Sequence, residues 1–321
     1  MTPKEAIALL EQRMNRSILG QEHIVKRLIM GLLADGNILI EGLPGLAKTR
    51  IVRAMADAIE GSFSRIQFTP DLVSADVIGA ESLRQDNGTE HYMFHHGPIF
   101  GNIILADEIN RAPAKIQSAM LEAMAEKQVT VKGETYKLPE LFIVLATQNP
   151  LQEEGTFPLS DAQKDRFFMH VKIDYTSMDV ELDMIKLIQK ERFIDKEDAP
   201  KIPQEMIFAA RKEVAAVKLS DGLGRYIVDL VYATRYPLRY SRQLEMMIAL
   251  GVSPRGSLAL TQCAQAHAWL DGRDAVQVED IQAVIHDVFR HRLSMSEHTR
   301  DNGYTYDQII DIVIQNVKLP Q

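Results

Sequence analysis

NILIEGLPGLAKTR, residues 37–50, contains the turn on which the fold depends. Asn37 to Glu41 is short, apolar and followed by glycine, the pattern of a buried strand. Lys48 to Ile59 has helical spacing. The turn between them, Gly42-Leu43-Pro44-Gly45-Leu46-Ala47-Lys48-Thr49, resembles a phosphate-gripping loop with one departure: the usual signature places glycine directly before the lysine, and here that residue is Ala47. The physics does not demand that glycine. A helix N-terminus offers free backbone N–H groups and the positive end of a dipole. Gly42 and Gly45 permit torsions that turn successive N–H groups toward one anion. Ala47 needs only a position that tolerates a methyl. Lys48 supplies a mobile cation for the outer phosphates and Thr49 a hydroxyl for Mg²⁺.

Further apolar runs at Phe63–Phe68, Asn102–Ala106, Leu141–Ala146 and Phe167–Ile173 alternate with helical stretches. That order predicts a parallel sheet with helices on both faces. Upstream, Pro3–Arg16 and a run ending at Leu33 are helical. Beyond Tyr175 no strong strand candidate remains. The runs at 180–189, 204–217, 223–234, 257–270 and 278–289 all have helical spacing. The expected division is therefore a nucleotide-binding α/β core at 1–175 and a small all-helical domain at 176–321. Two hairpins are expected to interrupt the core, at about 80–96 and 128–138. Asn87-Gly88 in the first is a strong short hairpin-turn signal.

Composition narrows the function classes. A formal charge of -8 over 321 residues argues against a dedicated nucleic-acid binder. The single cysteine, Cys263, excludes an internal disulfide and any cysteine-rich zinc site. The most apolar region, Ile24 to Ile40, is interrupted by Lys26, Arg27 and Asp35, so no membrane span is expected. With no signal-peptide core at the start, the expected compartment is cytoplasmic. His95-His96 lacks a third ligand at suitable spacing for a metal.

Other stretches supply parts of a hydrolysis site. Ile103-Ile-Leu-Ala-Asp-Glu108 is an apolar strand ending in two carboxylates. Asp107 suits Mg²⁺, and Glu108 suits a general base acting on water. An Asp-Glu pair is also how helices are capped. Asn149, after the strand ending at Ala146, could position that water or sense a terminal phosphate, although Asn before Pro is also a turn signal. Arg166, just before a strand, and Arg111 compete to stabilise charge on a transferred phosphoryl group. Ser253 with Pro254 predicts a helix start that places Arg255 in the first turn, from where it could reach back to the phosphates.

Together these residues resemble the MoxR family of AAA+ ATPases, in which alanine before the lysine is the usual spelling. The match runs through GLPGLAKT, DEINRAPAKIQSAMLEAMAE (107–126), ATQNP, GTFPLSDAQKDRF (155–167), SPR and FRHRL (289–293). The resemblance implies an AAA+ αβα P-loop domain with a parallel sheet, a helical lid, and Mg²⁺-dependent ATP hydrolysis in a homo-oligomeric ring, usually of six copies. Asn149 then corresponds to the first sensor, Arg166 to an arginine acting on a neighbour, and Arg255 to the second sensor. Ile18-Leu19-Gly20-Gln21 corresponds to the segment lining adenine, and the hairpins to inserts facing pore or cargo. The implied nucleotide contacts are Leu19, Gly20, Gly42, Leu43, Pro44, Gly45, Leu46, Ala47, Lys48, Thr49, Arg50 and Asp107, with Thr49 and Asp107 holding Mg²⁺. The implied partners are protein clients, including proteins with von Willebrand factor A domains, and the implied work is remodelling or cofactor insertion. A nucleic-acid motor and a metal-chelatase ATPase subunit are the alternatives.

Overall fold

The computed structural model describes residues 1–43, 45–46, 48–86, 89–148, 157–191 and 199–320. The chain opens with helices α1 (Pro3–Ser17) and α2 (Glu22–Leu33). Thr2 caps α1: its hydroxyl accepts from the Glu5 N–H, and the Glu5 carboxylate accepts from the Thr2 N–H. Next come β1 (Ile38–Gly42), α3 (Lys48–Ala58), β2 (Phe63–Gln67) and α4 (Ser74–Ile78), then the hairpin β3 (Gly79–Asp86) and β4 (Thr89–His96). They are followed by β5 (Ile103–Asp107), α5 (Ala114–Glu126), the hairpin β6 (Gln128–Val131) and β7 (Glu134–Lys137), β8 (Ile143–Gln148), α6 (Asp161–Lys164) and β9 (Met169–Ile173).

Five strands form one parallel sheet in the order β2-β5-β8-β1-β9, as the alternating apolar runs required. Its central strands are buried throughout, because helices cover both faces. Successive side chains enter opposite layers. Ile38, Ile40, Ile103, Leu105, Ile143 and Leu145 join one apolar cluster. Leu39, Ile104, Ala106, Val144 and Ala146 join the other, beneath α5.

After β9 the chain is mainly helical: α7 (Met178–Glu191), α8 (Gln204–Ala215), α9 (Asp221–Arg235), α10 (Arg242–Met247), α11 (Pro254–Leu270), α12 (Val278–Phe289), α13 (Glu297–Asp301) and α14 (Tyr306–Asn316). Two short strands, β10 (Ile248–Leu250) and β11 (Ser294–Met295), pair antiparallel within this region. The sequence reading expected helices alone here, and segments of two or three residues are too short to show a period of two. The buried side of α8, Ile207 and Ala210, packs with α1 and α2, so one apolar cluster continues from α1 to α14. The interior therefore does not divide at Tyr175. Within the lid, Asp280 is fully buried and accepts from both Arg273 Nη atoms at 2.5 Å, and it lies 2.6 Å from His267 Nδ1, which fastens α11 to α12.

Candidate active site

Parallel strands end at a common edge, and in such sheets ligands bind outside those ends. The carboxyl ends of β5, β8 and β1 therefore bring Asp107, Thr147 and Gly42 together, although they are far apart in sequence. Lys48, at the start of α3, is buried and donates from Nζ to the Gly42 carbonyl at 2.6 Å and the Gln148 carbonyl at 3.4 Å. Gly45 has φ +88°, a torsion that L side chains rarely adopt. A side chain at Gly42 would meet the Ile173 carbonyl at 2.9 Å, so the β1–β9 contact requires glycine there. Thr49 lies in the first turn of α3. Leu43 is exposed, while Leu46 lines the adjoining cavity. Pro44, Ala47 and Asn149 lie outside the described residues.

The two carboxylates are each held by residues of this chain. Asp107 Oδ1 accepts from the Thr147 hydroxyl at 2.7 Å, and Oδ2 accepts from Arg65 Nη2 at 2.6 Å and Nε at 3.0 Å. The same Thr147 oxygen accepts from the Glu108 N–H at 2.9 Å. Glu108 sits in the left-handed region, φ 59° and ψ 48°, a backbone cost that non-glycine residues bear mostly at functional sites. Its Oε2 accepts from Gln67 Nε2 at 3.1 Å and lies 3.1 Å from Arg111 Nε. Arg111 is thus engaged with its own chain's glutamate. Sequence reasoning missed Arg65, Gln67 and Thr147. Arg65 and Gln67 lie on β2, and only the β2–β5 pairing puts them beside Asp107. Thr147 had a signal in the polar end of the ATQNP strand.

Beneath the loop, Glu41 is held by the Gln148 side-chain amide and lies 3.2 Å from His170 Nε2. The His170 contact is close but poorly aligned for a hydrogen bond. Burial would raise the Glu41 carboxyl. His170, Gln148 and Lys172 outweigh it and hold the group at about 2.

A cavity of about 290 Å³ adjoins the loop, lined among others by Leu19, Gln21, Leu46, Tyr175, Glu181 and Met184. Gln21 is buried; its Nε2 donates to the Asp174 carbonyl at 3.1 Å, and its Oε1 has no partner among the described residues. A buried, unpaired acceptor beside apolar walls suits the amino edge of a purine. Gly20, at φ +70°, lets α7 approach, since a Cβ there would lie 2.5 Å from Val180. Arg50 turns away from the loop: it donates to the Ser17 carbonyl at 2.9 Å and pairs with Glu191 at 2.7 Å.

Arg166 and Arg255 lie at the other end of the sheet. Asp165 precedes the start of β9, whereas the loop follows the end of its neighbour β1. A five-residue strand, roughly 16 Å, separates the two edges. Arg292 is buried, with its side chain 2% exposed, and its Nε donates to Asp165 at 3.0 Å. Burial pushes that guanidinium down to about 10, which leaves it charged at neutral pH. Ser253 Oγ donates to Asp165 at 2.8 Å, and Arg255 Nη1 lies 3.4 Å from it. Arg290, His291 and Arg292 also meet the backbone carbonyls of His170, Phe167 and Phe168, which explains the FRHRL segment as the clamp between lid and sheet. Arg255 does not reach its own chain's loop. Arg166 is exposed; its backbone N–H donates to the Gln163 carbonyl at 3.2 Å, and its side chain has no ion pair or hydrogen bond among the described residues.

The two hairpins lean on each other. Phe94 stacks on Tyr136 with ring centroids 4.3 Å apart, and Lys132 pairs with Glu81 at 2.6 Å. His95 lies 2.7 Å from the Ser82 hydroxyl, and His96 stacks on Phe100 at 4.0 Å.

A parallel sheet with this loop, paired carboxylates at the next strand end and a clamped helical lid define a nucleotide-binding ATPase of the AAA+ class. The profile for the ATPase family associated with various cellular activities (AAA) matches residues 37–169, and that for the AAA lid domain matches 243–312. Chaperone MoxR1 of Mycobacterium tuberculosis is 41% identical over 95% of this chain and 80% of its own length. Protein MoxR of Paracoccus denitrificans is 31% identical over 89% of this chain and 88% of its own. A crystal structure of a candidate ATPase from Cytophaga hutchinsonii has TM-score 0.91 and 37% identity, covering 99% of this chain and 96% of that one. The chain belongs to the MoxR family of AAA+ ATPases, enzymes that hydrolyse ATP. No helix among the described residues is long and apolar enough to cross a membrane.

Proposed function

We propose that this chain hydrolyses ATP with Mg²⁺ at the junction between neighbouring copies of a ring, and uses the cycle to remodel protein clients. The observation that carries this reading is a division. Lys48, Asp107 and Glu108 gather at one edge of the sheet, whereas Arg166 and Arg255 stand at the other edge. A single copy therefore offers binding and water activation but brings no arginine of that pair to the transferred phosphate.

In this reading, Gln21 and Leu19 take the base, and the 42–49 turn with Lys48 takes the phosphates. Thr49 and Asp107 would hold Mg²⁺, which when bound offsets phosphate charge and polarises the bond that breaks. Thr147 keeps an Asp107 oxygen oriented and sets the backbone of Glu108 by the same hydroxyl. Glu108 exchanges Gln67 and Arg111 for the attacking water and accepts its proton. Asn149 aligns that water. Arg166 and Arg255 stabilise charge in the next copy's site.

Protein clients are favoured by the net charge of -8 and by the name "chaperone" carried by the Mycobacterium relative. Exposed Leu83 and Tyr92, cross-strand neighbours on one face of the first hairpin, offer apolar surface suited to a polypeptide. Proteins with von Willebrand factor A domains and enzymes awaiting a cofactor are the client classes that the family suggests. The test is capture of clients on the Glu108→Gln protein with ATP, with ATPase rates measured with and without single-stranded DNA across a salt series. Salt-sensitive stimulation by DNA would sink the client reading.

A further inference from the structure

Strand β2 lies at an edge of the sheet and carries a cation into the site. Phe63, Arg65 and Gln67 share one face of it. The register sets Gln67 beside Asp107 and Arg65 beside Leu105, so the Arg65 side chain runs forward along the strands to reach the carboxylate. Its Nε and Nη2 both donate to Asp107 Oδ2, at 3.0 and 2.6 Å. Two donors fill the two lone pairs of that oxygen. The other oxygen, Oδ1, accepts from the Thr147 hydroxyl.

The two partners differ in burial. The Asp107 side chain is 9% exposed and the Arg65 side chain 49%. A carboxylate that deep needs a positive partner. An arginine half in water is held loosely by comparison, because solvent receives its head group at little cost. Gln67 Oε1 also accepts from Arg65 Nη2 at 2.6 Å, which leaves the guanidinium a hold on β2 once Asp107 lets go. Glu108 has an arginine of its own, Arg111. The Asp107 carboxylate and the Thr49 hydroxyl are hard oxygen donors of the kind that suits Mg²⁺. A guanidinium 2.6 Å from Oδ2 cancels the charge that attracts such an ion. Arg65 and a metal therefore contest one carboxylate.

We propose that Arg65 is a tethered counterion: it holds Asp107 in the metal-free chain, yields the carboxylate to Mg²⁺ arriving with nucleotide, and so sets how much metal the site requires. The inference rests on the reading of Asp107 as a Mg²⁺ ligand. Arg65 acts through Asp107 and needs no contact with the nucleotide.

The test uses Mn²⁺ as the probe, since it takes the same hard oxygen ligands as Mg²⁺. Electron paramagnetic resonance reads the Mn²⁺ affinity of the ADP-loaded full chain for the parent, Arg65→Met and Arg65→Lys. Arg65→Met keeps the apolar stem and loses the charge. It should bind Mn²⁺ about tenfold more tightly than the parent, the worth of one partly exposed charge-assisted hydrogen bond. Arg65→Lys restores a cation and should bring the affinity back toward the parental value. ADP affinity in EDTA stays parental in both, which also reports that they are folded. Asp107→Asn completes the cycle. In that background Arg65→Met gains nothing, because no carboxylate is left to contest. Equal or weaker Mn²⁺ binding by Arg65→Met overturns the proposal, the weaker result making Arg65 an orienter of Asp107. A gain that persists beside Asp107→Asn overturns it too, and so does a loss of ADP affinity in EDTA, which would make Arg65 a phosphate ligand. Parental Mn²⁺ affinity in Asp107→Asn alone has a different meaning: it sinks the reading of Asp107 as the metal ligand, and the competition with it.

Discussion

The two ends of the sheet are built on opposite plans. At the strand ends, Asp107, Glu108 and Lys48 are each met by partners from their own chain: Arg65 with Thr147, Gln67 with Arg111, and the Gly42 and Gln148 carbonyls. At the strand starts, the buried Arg292–Asp165 pair and Ser253 are satisfied, and what projects from them is not. The Arg166 side chain has no partner among the described residues, and the Arg255 side chain is 59% exposed with one contact at 3.4 Å. An exposed arginine is ordinary. An exposed arginine set beside a buried ion pair has its backbone held while its head group stays available, which is what the proposed service to a neighbouring copy requires. In the proposed reading the strand-end half binds and the strand-start half completes.

The comparison breaks most sharply at Arg166. Arg166→Ala should lower turnover on the order of 10³-fold while nucleotide affinity, read by calorimetry, stays at the parental value. A loss of affinity instead would place the residue in its own chain's site. Glu108→Gln is expected to cost on the order of 10²-fold or more in turnover while ATP remains bound, in contrast with Lys48→Ala, which should abolish binding. Turnover of the Glu108→Gln protein at the parental rate would remove Glu108 as the base. Arg111→Ala sharpens the contrast from the other side. Its guanidinium pairs with Glu108 of the same chain, so its loss should change turnover only a few-fold; a fall as large as that of Arg166→Ala would reverse their roles.

The remaining predictions concern stability. Arg292→Ala leaves Asp165 with a lost partner in a largely buried setting, so chemical denaturation should show a loss of about 3 kcal/mol, with turnover falling as the Arg166 segment loosens. The smallest effect is at Glu41. Its carboxyl sits at about 2 in the folded chain against 4.5 for the free group. The depressed value stabilises the fold fully above pH 4.5, and that contribution drains away as pH falls toward 2. Glu41→Gln should remove this acid-dependent part, on the order of 2 kcal/mol after allowance for its partial exposure. Identical acid denaturation profiles for variant and parent would exclude Glu41 as the cause.

Much of this was legible beforehand. The runs at 37–41, 102–106 and 141–146 predicted buried parallel strands because helices on both faces leave such strands no polar side. Lys48, Thr49, Asp107 and Glu108 were readable because loop chemistry and strand-end carboxylates are local signals. Arg65 and Gln67 were not, since nothing within β2 says which strand it will pair with.

Local order along the chain thus determined the strand–loop–helix at 37–59, the alternation that makes the sheet, and the lysine and carboxylates of the candidate site. These follow from torsion, periodicity and charge within a few residues. Only the tertiary structure decided that β2 lies beside β5, that Arg65 thereby meets Asp107, and that Arg255 joins Arg166 at the far edge. Those facts depend on which surfaces meet across long stretches of chain, and no short-range pattern encodes that choice.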